Sequence, residues 1–272
     1  MTSPKTDAPA TLVTLAVEGG IATITLTNPP ANGYSYDLMR QLDAHVLECR
    51  MREDVHVIVI TGQGEKFFCA GADIAALKVM TPTFKYAFCL HANETMQRLE
   101  QTNKLVVAAL NGHTVGGGLE VALACDLRLG RRGPAQVGLP EVKLGVLPGT
   151  GGTQRLARAV GKSKAMELMV TGRTFSMDEA KTLGLLTDVL EADSAAAFLG
   201  KVREWCKQFV PPAGASKAVG LIKRAVQTGA EVPLAEALGL ERELQQQLFL
   251  SKDAQEGMAA NREKRTPVFE GR

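Results

Sequence analysis

Short, continuous runs of apolar residues recur in the first half of the chain and predict buried β-strands. Leu105–Leu110 is apolar throughout and residues 55–60 are apolar except for His56, which is typical of strands covered on both faces. Residues 12–17 and Ile21–Leu26 flank the turn sequence Glu18-Gly19-Gly20, which predicts a β-hairpin. Two further strand-like runs occupy residues 126–130 and 188–191.

Two helix starts are predicted in the first half of the chain. Ser35 is a predicted N-cap, and Thr81-Pro82 predicts the start of a helix that ends near residue 103. In the second half, apolar residues at helical spacing dominate the pattern. Ser176 and Glu179 form the capping-box pattern S-x-x-E. Further helices are predicted over residues 152–160, 163–171, 176–183, 194–209, 215–228, 233–252 and 253–265. Alternating strands and helices followed by a helical third predict an α/β core with a helical C-terminal region.

Composition narrows the possible partners. The 272 residues carry a formal charge of +2 and only 5% aromatic residues, which argues against nucleic-acid binding. No apolar run reaches the length of a membrane span, and residues 1–10 are polar and predict a disordered leader. Five cysteines without a C-x-x-C pair indicate a reducing compartment, so we expect a cytoplasmic protein.

The stretch after Leu105–Leu110 carries the most chemistry. Gly116-Gly117-Gly118 leads directly into a helix-forming segment, where the first amide groups lack intrahelical partners and attract negative charge. Glu120 lies in that first turn, and Glu141 follows in a later loop. Amide donors beside two carboxylates suit proton chemistry next to a carbonyl. From the pattern alone, Glu120 could instead serve the helix dipole, and Glu141 could be a solvated loop residue.

Five motifs in this order make the chain resemble the enoyl-CoA hydratase/isomerase (crotonase) superfamily. They lie at residues 68–74, 111–120, 138–141, 148–156 and 263–269. The resemblance implies an α/β fold, a spiral of ββα units, with a helical C-terminal region used for trimerisation, often as a dimer of trimers. We accordingly expect a leader at residues 1–10, a spiral core at 11–200 and a helical region at 201–272.

The resemblance also implies the site residues. Glu120 and Glu141 match the two catalytic glutamates of the family, and Ala70 and Gly117 match the residues whose amides form its oxyanion hole. Four further residues match positions that bind coenzyme A: Ala72, Asp73 and Ile74 at the adenine end, and Lys264 at the phosphates, from a neighbouring subunit. On sequence alone, Asp73 could be a helix cap and Lys264 a solvated charge.

Other features change the picture less. The signature at residues 148–156 is glycine-rich, and we assign it a structural role. Cys69 and Cys125 lie near the motifs without an obvious base, so we expect inert packing. Four histidines lack ligand spacing, so no metal is predicted. Gly33-Tyr34 replaces the Ala-Leu of many relatives, and Asn261 replaces a Phe that tends to line the acyl pocket.

We therefore expect an enoyl-CoA hydratase, a lyase that adds water reversibly across the 2,3 double bond of an enoyl-CoA thioester. No cofactor is implied, since coenzyme A enters as part of the substrate. One alternative is a Δ3,Δ2-enoyl-CoA isomerase, which needs one base. A second is a hydratase for a branched or dicarboxylic enoyl-CoA of the 3-methylglutaconyl-CoA type. A non-catalytic thioester-binding or RNA-binding module is the alternative outside enzymes.

Overall fold

A computed structural model describes residues 10–72 and 78–272. The predicted leader, apart from Ala10, and the predicted binding residues Asp73 and Ile74 lie outside the described residues. The strands are β1 (Val13–Glu18), β2 (Ile21–Leu26), β3 (Val57–Gly62), β4 (Phe67–Cys69), β5 (Leu105–Leu110), β6 (His113–Val115), β7 (Leu127–Arg131), β8 (Gln136–Gly138), β9 (Phe175–Ser176) and β10 (Asp188–Leu190).

Helices follow or separate these strands and fill the C-terminal third. They are α1 (Tyr36–Met51), α2 (Pro82–Gln101), α3 (Gly117–Leu123), α4 (Gly152–Val160), α5 (Lys162–Thr171), α6 (Met177–Thr182), α7 (Ala195–Cys206), α8 (Ser216–Gly229), α9 (Leu234–Phe249) and α10 (Lys252–Glu263). In the described parts of the chain, no helix is long and apolar enough to cross a bilayer.

The larger sheet has the strand order β1-β2-β3-β5-β7-β10. The predicted hairpin pairs β1 with β2 in antiparallel fashion, with Glu18 opposite Ile21. Its turn uses Gly19 and Gly20 at φ of +57° and +78°, which glycine adopts readily. The remaining neighbours in this sheet pair in parallel. Neighbouring parallel strands must be joined by crossover connections, which are usually helices. This explains why the predicted strands alternate with helices along the chain.

Strand β5 shows why its sequence is apolar at every position. Val106, Ala108 and Leu110 pack into the core that contains α1 and α2, while Val107 and Ala109 pack into a second core under α7. Successive strand residues point to opposite faces, so a strand covered on both sides needs apolar residues throughout.

A second sheet of very short strands has the order β4-β6-β8-β9. Its strands contain two or three residues each. This sheet could not be predicted from the sequence, because runs this short display no measurable alternation. The sheet matters for function, since β6 leads into α3 and β8 leads towards Glu141.

Local signals place the helix starts. The hydroxyl groups of Ser35, Thr81 and Ser176 accept hydrogen bonds from backbone amides three residues later, as N-caps do. The capping box at Ser176 is only half formed, because the carboxylate of Glu179 accepts instead from Arg173 at 2.8 Å.

The predicted boundary after residue 200 falls inside α7. That helix buries Phe198, Val202 and Cys206 against the larger sheet. Helix α8 is anchored by a buried ion pair in which Lys223 Nζ lies 2.8 Å from Asp126 Oδ2. The same ammonium group donates to the carbonyl of Leu99 at 2.6 Å.

Candidate active site

The glycine run before Glu120 allows α3 to begin in direct contact with the second sheet. A β-carbon on Gly118 would lie 2.0 Å from the carbonyl oxygen of Cys69, at the end of β4. Gly116 has φ of +56°, and its amide donates to the Gly138 carbonyl at 2.9 Å. The run therefore brings the N-terminus of α3 against β4 and β8 without side chains between them.

Glu120 is buried, with 1% of its surface exposed, and both of its carboxylate oxygens accept hydrogen bonds. Oε1 accepts from the amides of Thr150 and Gly152, each at 2.8 Å. Oε2 accepts from the hydroxyl of Thr150. These donors satisfy a carboxylate that would be costly to bury alone. The glycine-rich segment that we assigned a structural role thus holds a predicted catalytic side chain in place.

Glu141 begins a short 3₁₀ turn, Glu141–Leu144, and is half-buried. Burial, with the nearby charge of Glu120 as a lesser cause, raises the pKa of Glu141 to about 7. Its Oε2 is buried without a hydrogen-bond partner among the described residues. A carboxyl group in this state can hold a proton near neutral pH and release it to a substrate.

Both glutamates lie at the N-terminus of α3. Glu120 belongs to its first turn. A β-carbon on Gly116, the residue before the helix, would lie 3.1 Å from Glu141 Oε1. The structure therefore brings together two carboxyl groups with different environments, one enclosed by donors and the other without a partner.

The Ala70 amide, which we predicted to be part of the oxyanion hole, is not free in this structure. That amide donates to the carbonyl of Ala31 at 3.0 Å, so it is already used. The amide of Gly117 opens the helix, and it donates to no acceptor among residues 10–72 and 78–272. The backbone of Gly71 lies against it, since a β-carbon there would be 3.0 Å from the Gly117 nitrogen.

Ala72 pairs with Tyr34 in an isolated parallel bridge, in which the Tyr34 amide donates to the Gly71 carbonyl at 2.9 Å. In such a pair one residue bonds to the neighbours of its partner, and the partner's own amide points to the other side. Within the described residues, the Ala72 amide finds no acceptor. The Ala72 amide is therefore a second amide near that of Gly117. It lies two residues after Ala70, the position predicted from the sequence.

Of the other predicted binding residues, Asp73 and Ile74 lie outside the residues that the structure describes. Lys264 is exposed at the C-terminal end of α10, with φ of +57°, and Asn261 is exposed one turn earlier. Cys69 and Cys125 are buried, and burial raises the pKa of each thiol to about 12, which agrees with inert packing.

Two residues of the centre were missed as functional residues. Tyr34 is 3% exposed, and its hydroxyl lies 2.9 Å from Thr150 Oγ1 and 3.5 Å from Glu120 Oε2. Its departure from the Ala-Leu of many relatives was the only signal in the sequence. Thr150 carried no signal beyond its place in the glycine-rich signature.

Comparison with known proteins identifies the family of this chain. The family model of enoyl-CoA hydratase/isomerase matches residues 16–272. The chain belongs to this family. The short-chain-enoyl-CoA hydratase of Clostridium acetobutylicum is 37% identical over 93% of this chain and 95% of its own length. A probable enoyl-CoA hydratase of Mycobacterium leprae is 39% identical over 94% and 97%.

Solved structures of the enoyl-CoA hydratase/isomerase family confirm the predicted fold class. A crystal structure of an enoyl-CoA hydratase from Geobacillus kaustophilus matches with a TM-score of 0.92 and 42% identity, covering 97% of this chain and 98% of its own. An enoyl-CoA hydratase from Bacillus anthracis matches with a TM-score of 0.88 and 33% identity, covering 96% and 100%. The α/β core with its helical C-terminal region is the family architecture.

Proposed function

We propose that this protein hydrates 2-enoyl-CoA thioesters to 3-hydroxyacyl-CoA thioesters. The observation that carries the proposal is the pair Glu120 and Glu141 at one helix N-terminus, with the pKa of Glu141 raised to about 7. Family membership and relatives named as enoyl-CoA hydratases support the same reaction.

In the proposed reaction, the thioester carbonyl oxygen accepts hydrogen bonds from the amides of Gly117 and Ala72. As water adds to Cβ, negative charge moves onto that oxygen, where the two amides and the helix N-terminus stabilise it. Removal of one such donor typically costs about 10²–10³-fold in rate. Ala72 replaces Ala70 in this role because the Ala70 amide is bonded to Ala31.

The carboxyl groups divide the proton transfers. Glu120, held by Thr150 and Gly152, accepts a proton from the attacking water as the C–O bond forms at Cβ. Glu141, protonated at that moment, delivers its proton to Cα. The double bond is consumed, one water is added, and exchange with solvent returns both carboxyl groups to their starting states. Dehydration is the same path reversed.

A second reaction, Δ3,Δ2-isomerisation, is favoured by one observation. Glu120 is nearly fully enclosed, whereas Glu141 has an unpartnered oxygen and could move a proton between two carbons alone. Liquid chromatography coupled to mass spectrometry, with crotonyl-CoA and 3-butenoyl-CoA as substrates, separates the two reactions, because these isomers have the same mass and are told apart by their retention times. Hydration adds the mass of one water to crotonyl-CoA. Conversion of 3-butenoyl-CoA to crotonyl-CoA without hydration would contradict the proposal.

The acyl group is tested with the same assay. A panel of straight-chain, branched and dicarboxylic enoyl-CoA thioesters measures which acyl group the protein prefers, and so whether Gly33-Tyr34 and Asn261 alter that preference. An apolar groove of about 380 Å³ is lined by Val142, the residue after Glu141, and by residues that include Leu147, Met166 and Val170.

We also propose that the chain assembles as a trimer or a dimer of trimers in the cytoplasm. Large apolar side chains are exposed along α8, α9 and α10, which favours burial against further copies. They are Ile222, Val226, Leu234, Leu238, Phe249 and Met258. All five cysteines are free, as expected in a reducing compartment. Sedimentation equilibrium of the purified protein gives the number of chains, and a monomer at micromolar concentration would contradict this assembly.

A further inference from the structure

Tyr34 occupies a fixed position beside the proposed catalytic centre. Its ring packs near Phe88, with 5.7 Å between the ring centroids. On another side it lies so close to Gly117 that a β-carbon there would be 1.6 Å from Tyr34 Cε1. The backbone is held as well, because the Tyr34 amide donates to the Gly71 carbonyl at 2.9 Å. These contacts leave the ring little freedom to rotate away.

The hydroxyl of Tyr34 belongs to a buried chain of three groups. Thr150 Oγ1 lies 2.9 Å from the Tyr34 oxygen, and the Thr150 hydroxyl donates to Glu120 Oε2. A threonine hydroxyl has one proton. Since that proton is given to Glu120, the Thr150 oxygen acts as acceptor towards Tyr34, and the Tyr34 hydroxyl is the donor.

We propose that Tyr34 is a positioning residue for Glu120, acting through the hydroxyl of Thr150. This inference rests on the proposed function, in which Glu120 accepts the proton of the attacking water. The amides of Thr150 and Gly152 fix Oε1, but the direction of Oε2 depends on a hydroxyl that could rotate. The donor from Tyr34 fixes the rotation of that hydroxyl and so fixes the direction of Glu120 Oε2.

The raised pKa of Tyr34 agrees with a hydroxyl group that stays protonated and always acts as a hydrogen-bond donor. Burial, together with the neighbouring charge of Glu120, raises the pKa of Tyr34 well above its usual range. The phenol therefore keeps its proton throughout the pH range of an ordinary assay, and its role is to orient a partner. We assign no proton transfer to it.

The test removes the hydroxyl and keeps the ring. In Tyr34→Phe, we expect kcat for crotonyl-CoA hydration to fall about tenfold, the effect of one hydrogen bond near its upper net value. We expect KM to stay within about twofold, because the thioester contacts are unchanged. Tyr36→Phe is the matched control. Tyr36 lies two residues away with 38% of its surface exposed, and we expect its variant to behave as the wild type.

A double-mutant cycle separates positioning from general damage to the site. Thr150→Val removes the group through which Tyr34 acts. If Tyr34 acts through Thr150, adding Tyr34→Phe to Thr150→Val causes little further loss of kcat. Two losses that multiply would overturn the inference, and so would an unchanged kcat in Tyr34→Phe.

The two proposals fail in different ways. If the wild-type protein hydrates crotonyl-CoA and Tyr34→Phe does so equally well, only the positioning role is contradicted. If the wild type hydrates no enoyl-CoA of the panel, the proposed function is contradicted and this role is overturned with it. Circular dichroism and thermal melting of each variant show that the fold is retained.

Discussion

The carboxylate of Glu141 lies directly against the backbone of Gly116, where a β-carbon would come within 3.1 Å of Oε1. Gly116 is the N-cap position of α3, and Glu120 lies in the first turn of that helix. Two carboxyl groups that are distant in sequence therefore share one helix end. The charge on Glu120 adds to burial in raising the pKa of Glu141 to about 7.

This relationship sets the pH dependence of the reaction. The proposed hydration needs Glu141 protonated, so we expect kcat/KM for crotonyl-CoA to be highest below the pKa of about 7 and to fall as the pH rises through it. Well above that pKa the fall approaches roughly tenfold per pH unit, since one proton is required. Dehydration of 3-hydroxybutyryl-CoA starts from the same total protonation state, with the one proton on Glu120 instead of Glu141. Since the overall reaction neither takes up nor releases a proton, kcat/KM for dehydration should fall over the same range. Initial rates in both directions across this range make the measurement, and a kcat/KM for hydration that does not fall as the pH rises through about 7 would contradict the assignment.

The contact between Tyr34 and Gly117 predicts a steric effect at the proposed oxyanion hole. Gly117→Ala keeps the amide but places a β-carbon 1.6 Å from Tyr34 Cε1. Because the ring and helix must move apart, we expect kcat/KM to fall by about 10²-fold, as for a displacement of about 1 Å.

Tyr34→Ala provides the control for that prediction. In the Tyr34→Ala background the β-carbon has room, so adding Gly117→Ala should cost about tenfold or less in kcat/KM. The four proteins of the cycle are compared by initial rates with crotonyl-CoA. An equal loss in both backgrounds would show that the clash is not the cause.

The buried ion pair between Lys223 and Asp126 predicts a large effect on stability. Lys223→Met would leave the Asp126 carboxylate buried without its cation, which we expect to lower the free energy of unfolding by about 3–5 kcal/mol. Lys217→Met, on the exposed face of the same helix, is the matched control and should change it by less than about 0.5 kcal/mol. Urea unfolding at one fixed protein concentration measures both variants. Similar midpoints for the two would contradict a stabilising role for the pair.

Much of the fold could be predicted from local patterns. The predicted bounds of β2, β5 and α4 agree with the structure, because each is a continuous apolar run or a periodic segment closed by glycine, proline or a polar turn. The small sheet could not be predicted. Its strands exist because neighbouring backbones meet in space, and two or three residues contain no periodic signal.

In the site, too, some residues could be predicted from the sequence and others come together only in the folded chain. Glu120, Glu141 and Gly117 were predicted by family resemblance, and the structure brings them to one helix end. The motif could not show that the Ala70 amide is already bonded, because the direction of each N–H depends on the pairing with residues 31–34 and on Gly71 at φ of +84°. Neither is visible in the motif. Tyr34 and Thr150 meet only after folding, since 116 positions separate them in the chain.

The most direct test of the central claim is the rate of crotonyl-CoA hydration by Glu141→Gln, measured beside Glu94→Gln, an exposed glutamate of α2. Glutamine keeps the shape of the side chain but cannot deliver the proton. We predict that Glu141→Gln loses about 10²–10⁴-fold in kcat while its affinity for a coenzyme A thioester is retained. Glu94→Gln should match the wild type. A Glu141→Gln protein that hydrates crotonyl-CoA at the wild-type rate would contradict the account.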